Sequence, residues 1–231
     1  GRENLCSQGQ ILPLAAPGGY ATQIRVDSRC AYPIPDALAS EIAAPLLCAG
    51  VTVFAPLARY AQPTSRVGVV GVGGLGHLAL QFARAMGCEV TAFSGSAKKE
   101  AEARRFGAGE FVVADSAALA ARAGQYDLIM STASGDVPWG EFLMALKPEG
   151  TLCVLGVPET DLKIPALPLL FGQRRLVGSL IGSGVESRAM LAFAARHGIA
   201  PQIEICPMGS VNAALDKLRR NEVRYRTVLT N

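Results

Sequence analysis

Four glycines stand closely spaced in the run Gly71–Gly76, which reads GVGGLG. The run follows an apolar segment, Val67–Val70, and precedes a segment in which apolar residues recur at helical spacing. Gly71 permits a tight strand-to-helix turn, Gly73 lets the backbone approach a pyrophosphate, and Gly76 lets the helix pack on the strand. The helix N-terminus then offers amide groups to the phosphates. The motif predicts a dinucleotide site, and the alternative is a glycine-rich turn without a ligand.

The segment after the next apolar run bears on the choice between two dinucleotides. In NAD-binding folds an Asp or Glu about 20 residues beyond the first glycine binds the ribose 2′-OH. Residues 91–99, TAFSGSAKK, contain no carboxylate and offer the hydroxyls of Ser94 and Ser96 and the ammonium groups of Lys98 and Lys99. These groups suit a dianionic 2′-phosphate, so the sequence predicts NADP. The alternative is that both lysines are only the solvated first turn of a helix.

The glycine run lies within an alternation of β-branched apolar runs and helical patterns. Such an alternation is typical of βαβ units that build a parallel sheet. We therefore predict an α/β Rossmann fold with a doubly wound parallel sheet. The predicted strands cover residues 66–71, 89–93, 110–113, 126–130 and 151–155. The predicted helices cover residues 75–86, 98–106, 116–122 and 139–146. The first of these helices is expected to end at Gly87 and the last at the turn 147–150.

The two ends of the chain have a different pattern. Residues 1–40 consist of turns and one strand candidate, 21–26, without a complete core of their own, like the tail of another domain. A helical connector over residues 40–60 has Ser40 as its expected N-cap and Pro45 and Pro56 as expected kinks. Two helical patterns, 186–197 and 210–221, and a strand candidate, 223–229, follow the alternating region.

These patterns predict a division into three segments. We expect a domain remnant with its connector over residues 1–48 and the Rossmann domain over residues 49–185. Residues 186–231 are expected to return to the first domain. The N-terminal residues lack an initiating Met and a basic-then-apolar leader, so we expect residue 1 to be internal to a longer gene product or to result from processing.

Composition and charge exclude several classes of protein. The chain has 231 residues, of which 50% are apolar and 18% charged, and its net charge of +3 is spread without blocks. No nucleic-acid or membrane-surface partner follows from this, and we expect a small-molecule partner. The apolar stretch 43–58 falls short of the roughly 20 residues of a membrane span.

Six cysteines lie far apart and form no CxxC pair. This spacing argues against a self-contained zinc knuckle or a disulfide scaffold and favours a reducing, cytoplasmic setting. For any one of these cysteines, the ordinary interpretation is a small buried apolar residue.

Several strings, in the same order along the chain, resemble the zinc-dependent medium-chain alcohol dehydrogenases, in particular the cinnamyl-alcohol-dehydrogenase-like branch. They are GRENLC, GGYA, YPIPD, APLLCAGVTV, VGVVGVGGLGHLALQFARAMG, LKPEGTL and VRYRTVL, and they span essentially the whole chain. The resemblance implies that the flanking segments are remnants of a β-rich GroES-like catalytic domain. It also implies a homodimer formed by edge-to-edge extension of the Rossmann sheets.

The same resemblance implies two zinc ions in the intact enzyme. A catalytic zinc is held by two cysteines and a histidine, with an open position for the substrate oxygen. Cys48 matches the second of these cysteines, Thr52 matches a residue that lies against the nicotinamide, and Cys6 matches the last of four cysteines around a structural zinc. The other ligands and the proton relay have no counterpart in this chain, and His77 and His197, which lie in predicted helices, do not replace them.

The implied activity is hydride transfer between C4 of the nicotinamide and a primary alcohol or aldehyde, with zinc as a Lewis acid. Two alternatives stay open. One is a non-catalytic or truncated NADP-binding module without the zinc site, and the other is a zinc-independent quinone-type reductase, which the context of Cys48 disfavours. The residues expected to hold the cofactor, besides Thr52, are Gly71, Gly73, Gly74, Leu75, Gly76, Ser94, Gly95, Ser96, Lys99, Ser179, Ile181 and Gly182.

Overall fold

Six parallel strands form the sheet at the centre of residues 52–180. A computed structural model describes residues 1–9 and 18–231, and these residues divide into two units. One unit is Thr52–Leu180, and the other combines Gly1–Val51 with Ile181–Asn231. The boundaries lie a few residues from those expected after residues 48 and 185. The functions assigned to the segments stay predictions.

The sheet has the strand order of a doubly wound fold. In sequence its strands are β1 Arg66–Val70, β2 Glu89–Ser94, β3 Glu110–Val113, β4 Tyr126–Ser131, β5 Leu146–Val154 and β6 Arg175–Gly178. In space they lie in the order β3-β2-β1-β4-β5-β6, and all neighbouring pairs are parallel. The strand order thus reverses between β1 and β4, which is where open α/β sheets bind ligands. The predicted α/β Rossmann sheet is confirmed.

Helices alternate with these strands. The α-helices of the described residues are α1 Ser40–Pro45, α2 Val51–Tyr60, α3 Gly76–Ala85, α4 Glu100–Arg105, α5 Ser116–Ala120, α6 Trp139–Ala145, α7 Ala166–Gly172, α8 Gly184–His197 and α9 Val211–Arg219. Helices α3 to α6 correspond to the four helices predicted in the alternating region. Gly87 follows α3 with a φ of +90°, a left-handed conformation that favours glycine at a helix end.

The strands of this sheet are apolar because helices cover both of its faces. Val67, Leu128, Ile129 and Leu152 have no exposed surface. Each such side chain contributes about 1.5–3 kcal/mol by burial. Phe93 packs edge-on against two further rings, at 5.4 Å from Tyr126 and 5.2 Å from Phe142, measured between ring centroids. This core fixes the positions at which the strands end.

Strand β5 differs from the prediction at its start. The turn expected over residues 147–150 is part of β5, which already begins at Leu146. Glu149 has a φ of 60°, and the pairing with β4 shifts in register between Tyr126 and Leu128. The turn residues are therefore accommodated as an irregularity within a longer strand, as in a β-bulge.

The second unit contains a short sheet of its own. Strands β7, Ile203–Pro207, and β8, Arg226–Thr230, pair in parallel. The strand predicted over residues 21–26 is wrong, because residues 23–27 have no regular structure and Ile24 is 50% exposed. A segment with alternating apolar residues is stable as a strand only when another strand pairs with it, and no described strand pairs with residues 21–26.

The connector is helical from Ser40 to Tyr60, with a π-helical turn, Leu46–Gly50, between α1 and α2. The N-cap is Ala39 and not Ser40, since the carbonyl of Ala39 accepts the amides of Ile42 and Ala43. The whole helix has 21 residues and reaches the length and hydropathy of a membrane span, so it extends beyond the apolar stretch 43–58 considered in the sequence. As in a core helix of a soluble protein, however, 61% of its most apolar window is buried, so the stretch is weak evidence for a span.

Candidate dinucleotide-binding site

The glycine run forms the junction between β1 and α3, as its spacing predicts. Gly71 has a φ of +91°, and a Cβ on this residue would lie 3.1 Å from Thr132 Oγ1. A Cβ on Gly76 would lie 1.8 Å from the carbonyl oxygen of Gly71, so no side chain fits there. A Cβ on Gly73 would meet nothing within 4 Å. The loop is therefore tightly packed on its inner side and open on its outer side.

The N-terminus of α3 carries no side-chain cap. Its N-cap residue, Leu75, makes no side-chain hydrogen bond to the helix amides. Uncapped amides at a helix N-terminus attract phosphate oxygens. His77 lies in the first turn with no exposed surface, and its Nδ1 lies 3.0 Å from the carbonyl oxygen of Gly73. Its ring also packs against Phe106, with centroids 5.3 Å apart, so this histidine contributes to the packing of the helix.

The carboxyl end of β1 is held from both sides by its neighbouring strands. The Gly71 amide donates to the carbonyl oxygen of Phe93 on β2 at 2.9 Å. On the β4 side, the Thr132 amide donates to the carbonyl oxygen of Val70 at 2.9 Å, and Thr132 Oγ1 lies 2.9 Å from Val70 O and 3.2 Å from Gly71 O. The sequence pattern did not single out Thr132, because its role depends on which strand lies beside β1.

The segment expected to bind the 2′-phosphate begins at the end of β2, beside the glycine loop. Its hydroxyls shape a turn: Ser94 Oγ accepts from the Ser96 amide and Ser96 Oγ accepts from the Lys98 amide, each at 3.3 Å. A Cβ on Gly95 would meet nothing within 4 Å. Lys98 is exposed. The turn thus places hydroxyls and an ammonium group at the carboxyl edge of the sheet.

A carboxylate that lies outside residues 91–99 contacts this segment. Lys99 Nζ forms an ion pair with Glu102 Oε2 at 3.2 Å, three residues further along the chain. Because residues three apart are neighbours on a helix surface, the sequence one helical turn beyond Lys99 already indicates this pair. The charge that Lys99 presents to a ligand is therefore partly compensated.

The remaining predicted cofactor residues lie at two places. Ser179 follows β6, and its amide donates to the carbonyl oxygen of Val154 at 3.1 Å, so it lies at the same edge of the sheet as the glycine loop. Thr52 begins the same unit and is buried, with 8% of its surface exposed. Ile181 and Gly182 belong to the other unit, where a Cβ on Gly182 would lie 2.4 Å from Val51 Cγ2.

The two cysteines predicted to bind zinc, Cys6 and Cys48, are both exposed, and neither forms a disulfide. Within residues 1–9 and 18–231, no group of three or more His, Cys, Asp or Glu side chains is placed to hold a metal ion. The described residues therefore do not fit a zinc ion by themselves. By contrast Cys88 and Cys153 are buried, and burial raises the pKa of the Cys153 thiol to about 12, as in a thiol with a packing role.

Cys48 lines a cavity of about 460 Å³ within its own unit. The wall includes Arg226 and Thr227 of β8 and apolar side chains of α9. Burial lowers the pKa of the Arg226 guanidinium, although the nearby Cys48 acts in the opposite direction. Thr227 Oγ1 is buried without a hydrogen-bond partner among the described residues. The cavity therefore combines an apolar wall with a few polar groups.

Comparison with known proteins places the sequence among dehydrogenases. Residues 74–196 match the family described as zinc-binding dehydrogenase. The probable cinnamyl alcohol dehydrogenase 8A of Oryza sativa subsp. japonica is 44% identical over 216 residues, which cover 92% of this chain and 60% of that protein. The NADP-dependent alcohol dehydrogenase C 1 of Mycolicibacterium smegmatis is 42% identical over 214 residues, which cover 92% of this chain and 61% of that protein.

Solved structures share the fold. A cinnamyl alcohol dehydrogenase from Sorghum bicolor superposes with a TM-score of 0.80 at 44% sequence identity, covering 85% of this chain and 57% of that one. The chain spans about three fifths of the length of the curated relatives it matches.

Proposed function

We propose that the protein is an NADP-dependent oxidoreductase of primary alcohols and aldehydes. The proposal starts from the family, since this chain belongs to the zinc-binding dehydrogenase family. The resemblance to the cinnamyl-alcohol-dehydrogenase-like branch is confirmed by these relatives. One observation carries the proposal: the junction of β1 and α3 leaves no room for a side chain at Gly76 and open space at Gly73. A pyrophosphate requires such a surface of backbone amides.

The residues at the carboxyl edge of the sheet would hold the cofactor. The amides of the glycine loop would bind the pyrophosphate, and Ser94, Gly95, Ser96 and Lys99 would surround the 2′-phosphate. Thr52 and Ser179, which belong to the same unit, would contact the nicotinamide end. Bound NADP supplies hydride chemistry at C4 of its nicotinamide ring. The role of the chain is to orient the cofactor and to exclude water from it.

We further propose that the two cysteines matched by the family resemblance bind zinc. Cys48 would be a ligand of a catalytic zinc and Cys6 a ligand of a structural zinc, together with residues that are not among those described. We assign no chemical step to zinc, because the described residues do not form a metal site.

We also propose a homodimer in a reducing, cytoplasmic compartment, with a small alcohol or aldehyde as its substrate. Strand β6 is the last strand of its sheet, and no described strand pairs with its outer edge. Pairing of this edge with a second copy would satisfy its backbone groups. None of the six cysteines forms a disulfide, which supports a reducing compartment.

Titration of the 231-residue chain with NADP and with NAD tests the proposed cofactor. We expect NADP to bind about tenfold or more tightly than NAD, because the segment 91–99 contains no carboxylate to repel the 2′-phosphate. Equal affinities, or tighter binding of NAD, would contradict the choice of NADP. Aldehyde reduction and zinc content, measured on the full-length gene product, separate an active zinc enzyme from a module that only binds the cofactor.

A further inference from the structure

We infer that Thr132 is a positioning residue for the glycine loop, and that its hydroxyl fixes the backbone that receives the pyrophosphate. The inference rests on the proposed binding of NADP. Thr132 follows β4 directly, at the point where the strand order reverses beside β1. A residue in this position can act on the loop without being part of the glycine motif.

Thr132 contacts both carbonyl oxygens at the turn. Its amide donates to Val70 O at 2.9 Å, and its Oγ1 lies 2.9 Å from Val70 O and 3.2 Å from Gly71 O. Since a hydroxyl carries one proton, it serves the two oxygens either alternately or through one bifurcated hydrogen bond. On the opposite side of β1, the Gly71 amide is held by the carbonyl oxygen of Phe93 at 2.9 Å. The peptide groups on both sides of Gly71 are thereby fixed.

The orientation of the Gly71 carbonyl group matters for the whole loop. Its oxygen is the atom that a Cβ on Gly76 would approach to 1.8 Å, so it packs directly against the first residue of α3. The same Cβ would lie 3.2 Å from Thr132 Oγ1. The hydroxyl therefore lies where β4, the turn and the helix meet. Rotation of the peptide after Gly71 would turn the amides of the following residues away from the phosphates.

The effect of the hydroxyl is concentrated on one oxygen. Val70 O keeps the Thr132 amide as a donor when the hydroxyl is removed. Gly71 O, by contrast, loses its contact with Thr132 Oγ1 at 3.2 Å. Thr132 is half-buried, so the side chain can be changed without opening a large cavity. Loss of the hydroxyl should therefore loosen the turn more than it weakens the core.

The test compares Thr132→Val, which keeps the branched shape and removes the donor, with Thr132→Ser, which keeps the donor. Dissociation constants are measured for NADP and for adenosine 2′-monophosphate, which lacks the pyrophosphate. For Thr132→Val we expect NADP to bind about tenfold more weakly, the scale of one lost hydrogen bond. Binding of adenosine 2′-monophosphate should stay at the wild-type value with both variants, and Thr132→Ser should restore most of the NADP affinity.

Thr151→Val is the matched control, because Thr151 is a buried threonine on β5 of the same sheet. It should leave both dissociation constants unchanged. Unaltered NADP binding by Thr132→Val, or an equal loss for both ligands, would overturn the inference while leaving the proposed function in place. Failure of the wild-type chain to bind NADP would instead contradict the proposed function. If Thr132→Val melts below the assay temperature, Thr132→Ala against Thr132→Ser provides the same comparison.

Discussion

The two ends of the six-stranded sheet carry polar groups of different kinds. At the amino end, polar side chains bind one another: Asp127 accepts two contacts from Lys147 Nζ at 2.8 Å and one from the Arg66 amide at 2.8 Å. At the carboxyl end, the glycine loop presents its backbone: the lack of a side chain at Gly76 allows close packing, and the lack of one at Gly73 leaves open space.

A second network strengthens the contrast. Near the amino end, Tyr126 donates to Thr91 Oγ1 at 3.3 Å, Thr91 donates to Glu110 at 3.2 Å, and Arg122 pairs with Glu110. Polar groups that bind one another contribute to stability and have little capacity left for a ligand. At the glycine loop, by contrast, the lack of a side chain at Gly73 leaves the backbone accessible to a ligand. The comparison therefore assigns stability to one end of the sheet and binding to the other.

Substitution in the glycine loop should have the largest effect. In Gly76→Ala the new Cβ would lie 1.8 Å from Gly71 O, so strand and helix must move apart. We expect NADP binding to weaken by about 100-fold or more, with a lower melting temperature. Calorimetric titration and thermal unfolding measure both effects.

Gly73→Ala is the companion variant. Its Cβ meets no protein atom within 4 Å but would occupy the space proposed for the pyrophosphate. It should weaken NADP binding by about tenfold at an unchanged melting temperature. Wild-type affinity in this variant would show that the open face of the loop is not where the cofactor binds.

At the amino end, Asp127→Asn should lower stability and leave cofactor binding unchanged. The variant loses the charge that pairs with Lys147, whose side chain is 41% exposed, so screening by solvent limits the effect to about 1 kcal/mol. Urea unfolding measures the loss. A change in the dissociation constant of NADP would break the division between the two ends.

Tyr126 should make stability fall at alkaline pH. Burial raises the pKa of its phenol above the ordinary value of 10.0, so above that pH the unfolded chain releases this proton before the folded chain does. The stabilisation is complete below pH 10 and is lost as the pH rises through the folded-state pKa. Urea unfolding of the wild type and of Tyr126→Phe between pH 8 and about 11 should show a shallower alkaline loss in the variant. Parallel slopes would contradict the assignment.

The smallest expected effect concerns the carboxylate that faces the 2′-phosphate segment. Glu102→Gln removes the partner of Lys99 at 3.2 Å, so NADP affinity should rise about two- to threefold at low salt. Glu100→Gln changes the same charge on the same helix but removes a partner of Arg104. If both variants raise the NADP affinity equally, the increase results from the change in net charge and not from the loss of the Lys99 ion pair.

The sheet and the glycine loop were predictable because their signals are local. Each strand is a short apolar run, and the constraints on Gly71 and Gly76 arise within six residues of one another. Thr132 was not predictable in this way, since it is 61 residues from Gly71 in sequence and meets it only through the strand order. The same reason explains β7, which the pattern missed and which pairs with β8. It also explains residues 21–26, where a suitable pattern lacks a partner strand.

The attachment of Gly71 to β2 on one side and to β4 on the other has a consequence for binding kinetics. A loop shaped by the strands beside it keeps its form while the adjoining helix frays, since sheet cores open less often than helix ends. A dinucleotide then meets a surface that needs no rearrangement, and little conformational entropy is lost when it arrives. Under the proposed function, recognition at this edge is preorganised, and differences in affinity among nucleotides should be expressed mainly in their dissociation rates.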